Sequence, residues 1–113
     1  MNIIFALYEF SGLLLIALAV PMMQRWVRPN VWYGFRVPKT LGDPDIWYAA
    51  NEYAGRYLFW VGVATLVTAA GLYFFAPGIS IDTYALACAG VTLGLLTVMV
   101  VQAFRYLGQF KDE

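Results

Sequence analysis

Residues 57–104 read YLFWVGVATLVTAAGLYFFAPGISIDTYALACAGVTLGLLTVMVVQAF, and Asp82 is the one charged residue among them. An α-helix rises 1.5 Å per residue, so about 20 apolar residues cross the hydrocarbon core of a bilayer. Residues 57–76 and 83–104 each meet that length, and Pro77-Gly78 between them is a turn signal. Two membrane helices in a tight antiparallel hairpin follow. A third apolar run, residues 3–23, carries a single charge, Glu9. The expected fold is all-α: one membrane domain over residues 1–113, with three transmembrane helices and a long connection, residues 24–56, between the first and second.

Composition agrees. Hydrophobic residues make up 62% of the 113 and charged residues 12%, against roughly 25% charged in soluble domains. Seven basic residues balance seven acidic ones, which argues against a nucleic-acid partner, since that requires a clustered basic excess. The chain has no histidine, so the commonest general base and metal ligand is missing. The single cysteine, Cys88, permits neither an internal disulfide nor a cysteine-rich metal site. We expect no cofactor, no metal and no catalysis. Cys88 reads as a small packing residue, because buried thiols are usually inert.

Ala17-Leu18-Ala19 resembles a signal-peptide cleavage site, but a signal peptide begins with a basic segment and residues 1–10 contain no Lys or Arg. The first run is therefore read as a retained helix. Basic residues decide orientation, because loops rich in Lys and Arg stay cytoplasmic. Arg25, Arg28, Arg36, Lys39 and Arg56 lie in the first connection, and Arg105 and Lys111 follow the third run. The expectation is an inner-membrane, multi-pass protein with its N-terminus outside and its C-terminus cytoplasmic. Trp26, Trp32, Trp47 and Trp60 are expected to flank the cytoplasmic interface, where an indole buries its ring and keeps its N–H wet.

Two features inside the apolar runs invite a role. Glu9 is either a functional carboxylate facing the bundle interior or a group near the outer interface that reaches water. Gly90 and Gly94 form a small-xxx-small pair that lets backbones approach closely. It serves either packing on the second helix, which offers Gly62, Thr65 and Ala69, or homo-oligomerisation; packing within the chain is preferred.

The connection carries most of the remaining information. Asp43 reads as an N-cap, Pro44 suits the first helical position and Asp45 the positive end of the dipole. A helix from about residue 44 would lie at the interface and run into the second span near Gly55. It places Trp47, Asn51 and Ala54 on one side, and pairs Glu52 with Arg56 at i,i+4. Ahead of it, residues 30–38 read as a turn-rich extended segment in which Gly34 permits a bend and Pro38 keeps Val37 extended.

The residues Asn30, Tyr33, Gly34, Arg36, Pro38, Thr40, Leu41, Trp47, Asn51 and Gly55 resemble the signature of the SdpI family of bacterial membrane proteins, N-x-x-Y-G-x-R-(T)-P-x-T-L followed by W, N or H, and G. Two positions depart from the usual pattern: Val37 stands in place of Thr, and Asn51 where many members have His, so a proton-transfer role for that His does not apply. The resemblance implies an integral membrane immunity protein that protects a cell from a secreted toxic peptide. It also implies signalling, by holding a transcriptional repressor at the membrane. Immunity members are longer, and this chain resembles their signature-bearing domain. The signature positions are candidate ligand- or partner-binding residues, and Arg36 is the foremost among them, because its charge is not needed for topology and its forked guanidinium suits a carbonyl cluster, a lipid phosphate or a carboxylate. Besides the bilayer, the partners expected are a toxic peptide, a membrane or cytoplasmic protein, or a second copy of the chain. The alternative reading is an accessory subunit of a larger membrane complex, or a small oligomeric transporter that uses Glu9.

Overall fold

The computed structural model describes residues 2–30 and 33–110. Trp32 and Lys111, both used in the topology argument, lie outside these. Four helices follow one another: α1 (Asn2–Met23), α2 (Pro38–Leu41), α3 (Pro44–Phe75) and α4 (Ile81–Leu107). Among the described residues there is no strand. Helices α1, α3 and α4 are each long and apolar enough to cross a membrane, as the hydropathy pattern predicts, and α3 and α4 are joined by the short turn around Pro77-Gly78. Much of the large apolar side-chain surface faces outward, including Phe10, Leu13, Val67, Leu86 and Leu93. In water such a surface would drive aggregation, whereas hydrocarbon solvates it without penalty.

Local chemistry sets the helix ends. Asp43 Oδ1 accepts a hydrogen bond from the Asp45 N–H at 2.9 Å, with Pro44 at the first helical position of α3. Ser80 Oγ accepts from the Thr83 N–H at 3.2 Å at the start of α4. Asp82 in the first turn and Arg105 in the last complement the α4 dipole. At the end of α1, Trp26 N–H donates to the Pro21 carbonyl and Arg25 N–H to that of Met22. This double closure is a Schellman motif, and it puts Arg25 in the left-handed region at φ 61°.

Two local expectations change. The stretch from residue 44 was expected to lie at the interface before entering the second span near Gly55; it is instead the first part of one uninterrupted 32-residue helix. Nothing near Gly55 breaks the hydrogen-bond ladder, because a glycine alone weakens a helix without ending it. The Glu52–Arg56 pair, 3.6 Å apart, reaches across the junction. At 1.5 Å per residue α3 is about 48 Å long, so part of it extends beyond a hydrocarbon core of about 30 Å. The second change is α2, a single turn at Pro38–Leu41 directly after the extended segment.

Helix α3 is the central element, and both α1 and α4 pack on it. The α1–α3 contact is backbone against backbone. A Cβ on Gly12 would come within 2.9 Å of the Gly62 carbonyl oxygen, and a Cβ on Gly62 within 2.8 Å of that of Gly12. Farther along, a Cβ on Gly55 would meet the Met22 Cβ at 2.9 Å and the Met23 nitrogen at 3.0 Å. Glycine at each position gives the close approach that drives helix association where no hydrophobic force separates protein from lipid.

Hydroxyls join the helices as well. Thr65 Oγ1 and Thr92 Oγ1 are 2.7 Å apart between α3 and α4, and Thr65 is buried. Tyr8 of α1 donates to the Ala85 carbonyl of α4 at 2.9 Å, and Tyr84 of α4 to the Ala69 carbonyl of α3 at 2.9 Å. Gly90 and Gly94 do not take part: a Cβ on either would meet nothing within 4 Å. The expected packing of that pair on α3 is therefore corrected. The rotation of α4 is fixed by Tyr84, Cys88, Thr92 and Ala103, and this turns the Gly90–Gly94 face outward.

Candidate functional site

The signature residues converge where the connection folds back on the N-terminal half of α3. Asn51 is at the centre, 2% exposed. Its Oδ1 accepts from the Phe35 N–H at 2.7 Å, and its Nδ2 donates to the Trp47 carbonyl at 2.9 Å. A second, longer contact from Nδ2 reaches the Phe35 carbonyl at 3.5 Å. One side-chain amide thus ties an extended segment to a helix, using both its donor and its acceptor.

Gly34 makes this approach possible. Its φ of 111° lies in the region that side chains rarely adopt. A Cβ there would stand 2.6 Å from Asn51 Oδ1 and 3.3 Å from the Trp47 ring. Trp47 is fully buried, and its Nε1 donates to the Val27 carbonyl at 2.8 Å. The expectation of an interfacial Trp47 is thereby corrected: the loop covers the ring and supplies a backbone acceptor for the indole. Trp26 and Trp60 are exposed.

The rest of the motif extends this anchor. Thr40 is buried; its Oγ1 donates within reach of the carbonyls of Phe35 (2.8 Å) and Val37 (3.0 Å) and accepts from the Val37 N–H at 3.0 Å. Pro38 occupies the first turn of α2. Asn30 Oδ1 accepts from the Tyr33 N–H at 2.7 Å. The Tyr33 hydroxyl donates to the Leu18 carbonyl of α1. Partial burial raises the Tyr33 phenol above its ordinary value, because the charged phenolate would lose hydration. Gly55 marks the close crossing of α1 and α3 described above. Lys39 Nζ donates to the Phe110 carbonyl beyond α4, which ties in the C-terminal segment.

Eight of the ten signature positions, all but Arg36 and Leu41, therefore build the loop and its attachment. Arg36 and Leu41 are exposed. Arg36 sits between Phe35 and Val37, whose side chains face inward on a cavity under the loop; in extended chain the residue between two inward positions points the other way.

The cavity measures about 410 Å³ and is bounded by the loop and by all three spans. Its apolar lining and its place under the signature were not legible in the sequence, because they depend on the loop folding back over α3 and α4. Phe35 and Phe104 meet edge to face at its rim, with ring centroids 5.1 Å apart.

Outside this region, Glu9 turns its Oε1 into the helix packing, and no hydrogen-bond partner meets that atom among the described residues. Cys88 and Tyr84 lie beside it, both buried. Glu52 takes Arg25 at 3.3 Å as well as Arg56, an ion-pair triad at the α1–α3 junction. The close crossing at Gly12 and the Tyr8 hydroxyl bond escaped the sequence reading. Gly12 and Ala19, seven residues apart on one face of α1, were the available signal.

No curated protein and no solved structure matches the chain. A family model, that of the SdpI/YfhL protein family, matches residues 27–104, which is more than half of the chain and takes in the loop, α3 and most of α4. The chain is a membrane protein with three transmembrane-capable helices, and it belongs to the SdpI/YfhL protein family.

Proposed function

We propose that this protein is a non-enzymatic immunity or sensing protein that protects a cell from a secreted toxic peptide and relays the event through the signature loop. In this reading the N-terminus faces outward, and the loop and C-terminal tail are cytoplasmic, the side that basic residues select. The observation that carries the reading is the double attachment of the loop: Tyr33 binds the Leu18 carbonyl of α1, and Asn51 of α3 binds Phe35. A shift of α1 against α3 is thereby transmitted to Arg36 and Leu41, two exposed positions of the signature outside these two hydrogen bonds. A two-state element of this kind responds to any ligand that prefers one arrangement.

Deleting the gene tests this: cells lacking it become sensitive to the toxic peptide, and Arg36→Ala abolishes protection while the protein level is unchanged. Unaltered sensitivity in the deletion strain would refute the immunity role.

A second reading rests on the outward-facing Gly90–Gly94 pair, which suits close contact with another membrane helix. The protein would then be an accessory subunit or a homo-oligomer. Purification in mild detergent at native expression level separates the two readings: a stoichiometric partner or a dimer lost in Gly90→Leu supports this one, and a lone monomer counts against it.

A further inference from the structure

The geometry points to a phospholipid site: the cavity beneath the signature loop holds an acyl chain of an anionic lipid, whose phosphate lies at the basic end of the bundle. Tyr33, Phe35 and Val37 roof the cavity, and Leu58 of α3 and Met99 and Ala103 of α4 wall it. Its size, about 410 Å³, falls within the range of small-molecule sites, roughly 300–1,000 Å³. Water is a poor occupant, because a buried water needs two to four polar partners and this lining is almost wholly apolar. An empty cavity of this size would forfeit the contacts of every wall.

The occupant follows from where the cavity opens. Leu18, Val100 and Phe104 also line it, and they are 38%, 47% and 50% exposed on the outer faces of two membrane-crossing helices. The medium at that mouth is hydrocarbon, so the hydrocarbon chain of a lipid is what can enter. Charge selects the headgroup. Met22, Ala54 and Ala103 pack together with Val27, Tyr33 and Phe35, which brings the end of α1, the start of α3 and the end of α4 to one end of the bundle. The described basic residues, Arg25, Arg28, Arg36, Lys39, Arg56 and Arg105, all belong to these helix ends or to the connection between α1 and α3, against Asp43, Asp45 and Glu52. That excess complements the net negative charge of an anionic headgroup such as phosphatidylglycerol, a charge that phosphatidylcholine cancels with its choline. The inference stands apart from the immunity reading, since it needs neither a toxin nor a signalling partner.

Native mass spectrometry of the full chain, extracted in mild detergent from vesicles of equal phosphatidylglycerol and phosphatidylcholine, tests it. The expected result is one lipid retained per chain, with phosphatidylglycerol preferred about tenfold. Ala103→Phe fills the cavity and Val100→Trp blocks its mouth; each is expected to lower lipid retention by about tenfold, while Leu86→Ala, exposed on α4 and outside the cavity lining, leaves it unchanged. Val100 is exposed, so its replacement spares the core, and cooperative thermal unfolding confirms that each variant is folded. Undiminished retention in both folded variants overturns the site, and equal retention of phosphatidylcholine overturns the headgroup assignment. A lipid-free dimer overturns it too, by giving the groove to a second copy of the chain.

Discussion

Asn51 Oδ1 accepts a hydrogen bond from the Phe35 N–H at 2.7 Å, and this joins the extended signature segment to the helix that crosses the membrane. Asn51 is buried and Phe35 half-buried, so water is a poor substitute acceptor for the Phe35 N–H. Asn51→Leu is expected to leave that N–H unsatisfied and to destabilise the loop by about 1–3 kcal/mol. Asn51→His, which keeps an acceptor nitrogen, is expected to be milder. Hydrogen exchange at Phe35 measures both; equal protection in the Leu variant would show that the bond contributes little.

Gly34 combines an unusual backbone with a crowded site. Gly34→Ala adds a Cβ 2.6 Å from Asn51 Oδ1 at a φ of 111°. Backbone strain of this type amounts to about 1–3 kcal/mol, and the contact with Asn51 adds to it. We expect a lower unfolding temperature in detergent and a rise in the solvent exposure of Trp47, read by its fluorescence. A Gly34→Ala protein as stable as the parent would contradict this geometry.

Glycines on the two faces of the bundle should respond differently. Gly62→Ala places a methyl group 2.8 Å from the Gly12 carbonyl oxygen and forces α1 away from α3. Gly90→Ala meets nothing within 4 Å, and alanine is the better helix former by about 1 kcal/mol. Thermal unfolding of monomeric protein is expected to show destabilisation for the first and none for the second.

Trp47→Phe removes the Nε1 donor to the Val27 carbonyl while keeping most of the buried ring. The loss expected is about 1 kcal/mol, with freer motion of the segment after α1. Amide exchange through residues 24–30 reports it, and unchanged exchange there would assign the anchoring to the ring alone.

Tyr33 makes the loop sensitive to alkaline pH. Its phenol is raised above the ordinary value near 10 by burial. The folded state therefore favours the neutral form, so its contribution is full below the ordinary value and is lost as pH rises through the raised one. Tyr33→Phe is expected to flatten the stability profile in that alkaline window, and an identical profile in the variant would place the effect elsewhere.

The sequence by itself determined the three membrane helices, the turn at Pro77-Gly78, the cap at Asp43 and the family signature. Each is a local property: insertion sums transfer free energies over a window of about 20 residues, and a cap depends on a side chain and the backbone two or three positions away. Glu52 and Arg56 were legible for the same reason. Tertiary structure alone decided which faces meet. Small residues lie on several helix faces; Gly62 packs on Gly12 of α1, while the rotation of α4, set by Tyr84 and Thr92, leaves Gly90 and Gly94 facing outward. The burial of Trp47 and the cavity beneath Phe35 also required the loop to fold over α3. That return brings together residues far apart in the chain, Val27 with Trp47 and Phe35 with Phe104, and no periodicity within one segment encodes it.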